Sequence, residues 1–189
     1  EQLAAGERDL DRPADLAAGR RRARAAALLS LALPGGAYIY QGEELGLPEV
    51  EDIPLEAMQD PMVVGTNYEN LGRDGCRVPL PWTRHGASAG FSPEGSAAPW
   101  LPQPKGWGDL SAEAQEGDVA STLEMYRDAL HVRRHHQALG DGTLIWIDAS
   151  PAVLAFRREP GFECWVNLGA DPVPLPPGEL LAASVDDTG

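Results

Sequence analysis

The chain has little of what several functional classes need. Only two of its 189 residues are cysteines, and they form no CxxC pair and no metal-ligand spacing. Cys76 and Cys164 are therefore read as free thiols of a reducing compartment, which points to the cytoplasm. No apolar run approaches the roughly 18 residues that span a bilayer, so no membrane partner is expected. Positive charge is scarce: 15 Lys and Arg stand against 29 Asp and Glu, a net charge of −14. A surface of that sign repels nucleic acid and anionic lipid and suits a neutral partner such as a sugar. The one basic cluster, Arg20 to Arg24, is too short to argue otherwise. No GxGxxG opens a helix after a strand, no GxxxxGK[ST] occurs, and no nucleophile elbow is present. His131 and His135 are four apart on a predicted helix, but no HExxH glutamate accompanies them. With Arg133, Arg134 and His136 they read as a solvated face. No metal and no cofactor is expected.

What is present is a change of pattern along the chain. Residues 17–33 are Ala-rich and then carry Leu28, Leu29, Leu31 and Leu33. This predicts a helix that Pro34, Gly35 and Gly36 end, because proline cannot continue the ladder and glycine relaxes the backbone. Tyr38, Ile39 and Tyr40 have strong β propensity and predict a strand, which stops abruptly at Gln41, Gly42, Glu43 and Glu44. Apolar strands that end in polar clusters are typical of buried parallel sheets, with the active site at the strand C-termini. Residues 47–118 hold more than half of the 17 prolines. They predict a long loop excursion with a short helix near Leu55 to Met58. Trp82, Phe91, Trp100 and Trp107 are expected to pin that loop, since a disordered linker would lack such rings.

A second helix is predicted over 119–138. Asp118 or Ser121 caps it, Ser121 and Glu124 match a capping box, and Leu123, Tyr126 and Leu130 form the apolar stripe beside Ala129. Beyond Gly140 and Gly142 the period shortens. Strands are predicted at 143–147, 152–157 and 162–167, with turns at Ser150–Pro151 and at 159–161, as in an antiparallel β module.

Glu43 and Glu44 are the obvious pair of carboxylates for acid–base chemistry, but neighbours on a strand point to opposite sides and do not converge on one reacting atom. Arg77 carries a guanidinium that offers several directed donors while pairing with a carboxylate. Arg73 and Asp74 are expected to form a loop-organising pair, and Trp82 to keep an aromatic position beside them. For Phe91 and Trp100 anchoring of the loop is favoured over stacking on sugar.

The blocks AYIYQGEELG at 37–46 and RDGCRVPLPW at 73–82 resemble the α-amylase superfamily of glycoside hydrolases, in its α-glucosidase and oligo-1,6-glucosidase branch. The resemblance runs from about Arg20 to Leu181. It implies an α/β fold: the C-terminal portion of a (β/α)8 barrel, with helix seven, strand eight, a long loop and helix eight over residues 1–140, then an incomplete antiparallel β domain over 141–189. It implies a parent enzyme that releases terminal α-linked glucose from gluco-oligosaccharides. The parent's catalytic carboxylates would lie on earlier strands, in an N-terminal barrel segment missing here, so this chain would be inactive alone. Arg77 would reach the subsite of the terminal glucose and meet a carboxylate from that missing segment. Retention needs two carboxyl groups about 5–5.5 Å apart, and in the resemblance Glu44 would instead brace the site wall, accompanied by Tyr40, Gln41 and Glu43. Leu80 and Pro81 depart from the family's methionine and glutamine. Both chain ends are expected to be cut, and an uncovered sheet edge predicts self-association. Two alternatives remain: a non-catalytic carbohydrate-binding or interaction module presenting the Trp-bearing loop, and a related transglycosylase or trehalose-forming enzyme. The apolar run Leu28–Leu33 with Tyr38–Tyr40 favours the enzyme reading over the module, because so apolar a helix and strand call for a larger sheet.

Overall fold

The computed structural model describes residues 16–67 and 69–185. Helix α1 spans Leu16–Ala32 and ends where Pro34 requires. Gly35 then takes a left-handed φ of 97° that turns the chain away. Two short helices follow, α2 at Pro61–Gly65 and α3 at Ala112–Gln115. Helix α4 spans Thr122–His135. The strands β1 (Leu144–Trp146), β2 (Val153–Arg158) and β3 (Phe162–Asn167) form one antiparallel sheet in sequence order.

Helix α4 starts as its sequence dictates. The Ser121 hydroxyl accepts the Glu124 N–H, which caps the first turn. The Glu124 carboxylate closes no box; it accepts the Gly117 N–H and pairs with Arg127. Asp118 accepts the Ala120 N–H instead of capping. The buried face is Thr122, Met125, Tyr126 and Ala129, spaced as one helical stripe. The expected stripe through Leu123 and Leu130 is therefore rotated, and Leu130 is exposed. Met125, Tyr126 and Ala129 pack on Leu31, Ala27 and Leu28 of α1. The opposite side of α1, through Leu29, Ala32 and Leu33, covers the inner sheet face. There the register pairs Phe156 with Cys164 and Leu154 with Val166. Helix α1 thus lies between α4 and the sheet. Burial pushes the Cys164 thiol up to about 11, so it stays protonated and inert.

The C-terminus of α1 leaves carbonyls without helical partners. Arg133 of α4 donates through Nη1 to the Leu31 and Leu33 oxygens and through Nη2 to Gly35. Arg158 of β2 donates to Ala32, Gly140 and Gly142 at 2.8–3.1 Å and has no exposed surface. Arg133 is therefore a cap for a neighbouring helix, not part of a solvated face.

Tyr38–Tyr40 is extended but is not a strand, which corrects the expectation. Among the described residues nothing pairs with it, and Tyr38 is 98% exposed. β propensity measures fit to a pleated neighbour, and no such neighbour lies beside it. Likewise, the described residues contain no parallel sheet; their sheet is the three-stranded antiparallel one. The loop excursion has its own small core of Val50, Ile53, Val78, Leu101 and Trp107. Of the four rings expected to pin it, only Trp107 is buried; Trp82, Phe91 and Trp100 are half or more exposed.

Arg158→Met would take the donor from three carbonyls, the Ala32 one buried, and should cost about 3 kcal/mol in urea unfolding. Arg133→Ala, at a partly solvated cap, should cost about 1–2 kcal/mol. Equal, small effects would show that the sheet is held on α1 by apolar contact alone.

Candidate functional site

The two sequence blocks meet in space. Gly42 turns with φ 95°, and a Cβ there would come within 3.2 Å of Leu47 and 3.3 Å of Leu80. Residues 43–45 form a single 3-10 turn, so Glu43 and Glu44 sit on a turn and not at a strand end. They still diverge. Glu44 accepts the Gly42 N–H at 2.8 Å, while Glu43 faces the Tyr126 hydroxyl at 3.4 Å. Burial, then the Glu43 charge, pushes the Tyr126 phenol up to about 12. The turn is held from below by Gln115, whose side-chain amide donates to the Leu45 and Leu110 carbonyls and accepts the Leu123 N–H. Tyr40 is half-exposed, with its hydroxyl 3.9 Å from the Cys76 sulfur, and Gln41 is exposed.

Arg77 sits over a clasp of two buried carboxylates. Its Nη1 lies 3.0 Å from Asp60 and 3.6 Å from Asp74. Asp74 accepts the N–H groups of Gln59 and Asp60. Asp60 caps α2 through the Met62 N–H and accepts the Arg73 N–H. The Met62 and Arg73 N–H groups, then the Arg77 charge, hold the Asp60 carboxyl below its usual range against the opposing effect of burial. The expected Arg73–Asp74 pair is thus replaced: Arg73 contributes its backbone, and Arg77 takes the ion pair. Within this chain, the carboxylates that meet Arg77 are Asp60 and Asp74 of its own loop. Asp60 was missed in the sequence, although Asp-Pro opening a short apolar run is a helix-start signal.

Two glycines make the clasp fit. A Cβ on Gly72, whose φ is 65°, would strike the Asp60 side chain at 2.5 Å. One on Gly75 would strike the Val50 carbonyl, also at 2.5 Å. The side chain of Arg77 remains 36% exposed. Among the described residues no hydrogen-bond partner meets its Nε or Nη2, which leaves three N–H donors unused by the loop. Trp82 lies at the far end of this block; its backbone meets Ala89 and Glu113, and its ring is 53% exposed. No group of three His, Cys, Asp or Glu side chains among the described residues is arranged to hold a metal. The larger recess, about 420 Å³ beside Leu16, Arg20 and Val185, shares no residue with this cluster.

The comparisons with known proteins agree in kind. The family model "Alpha amylase, catalytic domain" matches residues 4–142. A "Probable alpha-glucosidase" of Rhizobium meliloti (strain 1021) is 39% identical over 149 residues, covering 77% of this chain and 26% of the relative. "Probable oligo-1,6-glucosidase 3" of Bacillus subtilis (strain 168) is 29% identical over 140 residues, 66% of this chain and 24% of its own. Among solved structures, the alpha-glucosyl transfer enzyme XgtA superposes with a TM-score of 0.69 at 40% identity, over 83% of this chain and 29% of that one. The chain therefore spans about a quarter of the length of the curated relatives it matches.

The Asp60 shift sets a pH dependence. A carboxyl lowered in the folded state stabilises above its unfolded value, 3.8 here, and that stability disappears as pH falls through the lower folded value. Asp60→Asn should therefore unfold at lower temperature than the native chain at neutral pH, with the gap closing below about pH 4. A gap that stays constant with pH would remove the charge from the account. Gly72→Ala should lower the melting temperature at every pH, because its strain is steric.

Proposed function

The chain belongs to the α-amylase family, and on that premise we propose that it forms one wall of the active site of a retaining α-glucosidase. The observation that carries this reading is Arg77: a half-exposed guanidinium clamped by two buried carboxylates through one nitrogen, with its other donors open. A terminal α-linked glucose offers vicinal hydroxyls that such a fork binds with direction. The 40–44 turn, braced by Gln115 and Tyr126, forms the adjoining rim. In this reading residues 1–140 are the C-terminal part of a (β/α)8 barrel. Helix α1 is its seventh helix, the stretch Tyr38–Tyr40 stands where its eighth strand would run, and α4 is its eighth helix. Residues 141–189 belong to the β domain that follows.

The retaining pair of carboxylates comes, in this reading, from polypeptide outside this chain. Glu43 and Glu44 support that assignment by their geometry: each is turned to a partner of its own, and they do not flank a common space. The likeness to a probable alpha-glucosidase supports hydrolysis; the likeness to the alpha-glucosyl transfer enzyme XgtA favours, as a second reading, glucosyl transfer. Both share the first half-reaction and place the same demand on Arg77.

Saturation-transfer NMR with methyl α-glucoside tests the role of Arg77. The expected result is a signal from the native chain that falls about tenfold or more with Arg77→Gln, since directed bonds to a charged group are lost. Unchanged binding in Arg77→Gln would overturn it. Turnover of p-nitrophenyl α-glucoside by the chain alone, abolished by Glu43→Gln or Glu44→Gln, would overturn the assignment of the carboxylates.

A further inference from the structure

Helix α4 has two sides, and only one of them packs. The buried stripe is Thr122, Met125, Tyr126 and Ala129, and Arg133 extends that side to the end of α1. The opposite stripe, at helical spacing, is Glu124, Arg127, Asp128, His131, Arg134 and His135. All six are charged or titratable, and all but the half-buried Glu124 are exposed. Covering this stripe with further polypeptide would take those groups out of water at high cost, so this side faces solvent in a longer chain as well. On it, His131 and His135 stand one turn apart, with ring centroids 4.2 Å from each other. The Nδ1 atom of His135 lies 2.9 Å from the His131 carbonyl oxygen. A carbonyl only accepts, so Nδ1 carries the proton and the neutral ring keeps its lone pair on Nε2. That is the arrangement of a metal-binding imidazole, whose other ring N–H is donated to a carbonyl or carboxylate that fixes tautomer and orientation.

We propose that His131 and His135 chelate a divalent transition-metal ion of the Zn(II) class. Imidazole nitrogens bind such ions at about 2.0–2.1 Å, so two that share one ion lie at most about 4 Å apart. Residues i and i+4 of a helix bring their rings within that span, and the rings need only side-chain rotation to aim both nitrogens at one point. Water completes the coordination, since no third His, Cys, Asp or Glu among the described residues is arranged to join. The surrounding charge favours a cation. Asp128 lies one turn before His131, the charge of Arg127 is met by Glu116 and Glu124, and the whole chain carries −14; Arg134 is the opposing charge. Hard ions such as Mg(II) prefer oxygen ligands and do not suit the pair. An ion that bridges one helical turn also locks it, and this last turn of α4 carries Arg133, the cap of α1. Binding therefore stabilises the joint between the two helices. The site is independent of the role given to Arg77.

Zinc chloride titrated into the full chain, followed through the Cε1–H proton resonances of its four histidines, tests the site. The resonances of His131 and His135, identified by their loss in His131→Gln and His135→Gln, should move together, while His85 stays in place at the same zinc concentration. Either substitution should weaken binding at the remaining histidine about tenfold or more, because a lone imidazole has no chelate partner. Cys76→Ser should bind zinc as the native chain does, and magnesium chloride should move neither resonance. In a thermal melt, zinc at about a hundred times its Kd should raise the melting temperature of the native chain by about 5 °C, and that of His131→Gln by about half as much or less. No movement of the two resonances at millimolar zinc overturns the site. Binding of equal strength in His131→Gln, or its loss in Cys76→Ser, does the same. Movement of His85 with the same midpoint overturns it in favour of binding at single histidines.

Discussion

Two guanidinium groups at the C-terminus of α1 set the arrangement of everything around it. A helix end is a cluster of unpartnered carbonyls and the negative pole of the macrodipole. Arg133 arrives from α4 and Arg158 from β2, and between them they meet the oxygens of Leu31, Ala32, Leu33 and Gly35. Each cation thus fixes one neighbour against the same helix end. Arg158 lies in the interior and pairs with no carboxylate among the described residues; its charge is offset by three carbonyl dipoles, two of them from the 140–142 turn. Removing a charge from water is costly, and only full satisfaction of its donors makes such a position tolerable. The joint therefore admits few alternatives. It also fixes the direction in which the chain leaves α1 through Pro34 and Gly35 toward the 40–44 turn.

The loop excursion needs a different device, because it contains no long element. A five-residue core around Trp107 supplies apolar burial, and carboxylates bonded to backbone N–H groups supply the shape. Asp74 gathers Gln59 and Asp60; Asp60 gathers Met62 and Arg73. These are charge-assisted bonds, stronger than neutral ones. They bring together segments that lie about fifteen residues apart, and Gly72 and Gly75 permit the close approach. Gln115 does the same for the 43–45 turn, the loop end and the start of α4. Function enters as a consequence of this bonding: the groups that shape the loop also anchor the arginine exposed on it.

Elements whose causes are local were legible in the sequence. Pro34 with Gly35 ended α1, Ser121 began α4, and the turns near Ser150 and Gly161 separated three strands. What the sequence hid depends on partners distant in the chain. Tyr38–Tyr40 has β propensity, but a strand exists only beside another strand. In the stripe of α4, Tyr126 and Ala129 were legible, but Leu123 and Leu130 outweigh Thr122 and Met125 in hydropathy, while packing on α1 buries Thr122 and Met125 instead. Arg133 looked like surface charge because its three acceptors lie about a hundred residues earlier. For the candidate site, Arg77, Asp74 and the 40–44 turn were visible as residues. Their mutual geometry was not, and Asp60 escaped notice because a helix cap carries no mark of a second role.

That second role explains how Arg77 can serve both structure and ligand. A guanidinium bound bidentately by one carboxylate has two of its nitrogens occupied, and a second carboxylate would leave it closed to anything else. Here both carboxylates converge on a single nitrogen, Nη1, at 3.0 and 3.6 Å. Asp60 and Asp74 can do so because their remaining acceptor capacity is taken by backbone N–H groups, which fix the angle of each carboxylate. The N–H donors on Nε and Nη2, which no described residue meets, then remain available on a rigid base. Loosening either carboxylate would let the fork rotate into a bidentate pair and withdraw those donors. The network of backbone bonds beneath the arginine is thus what keeps its outer face open.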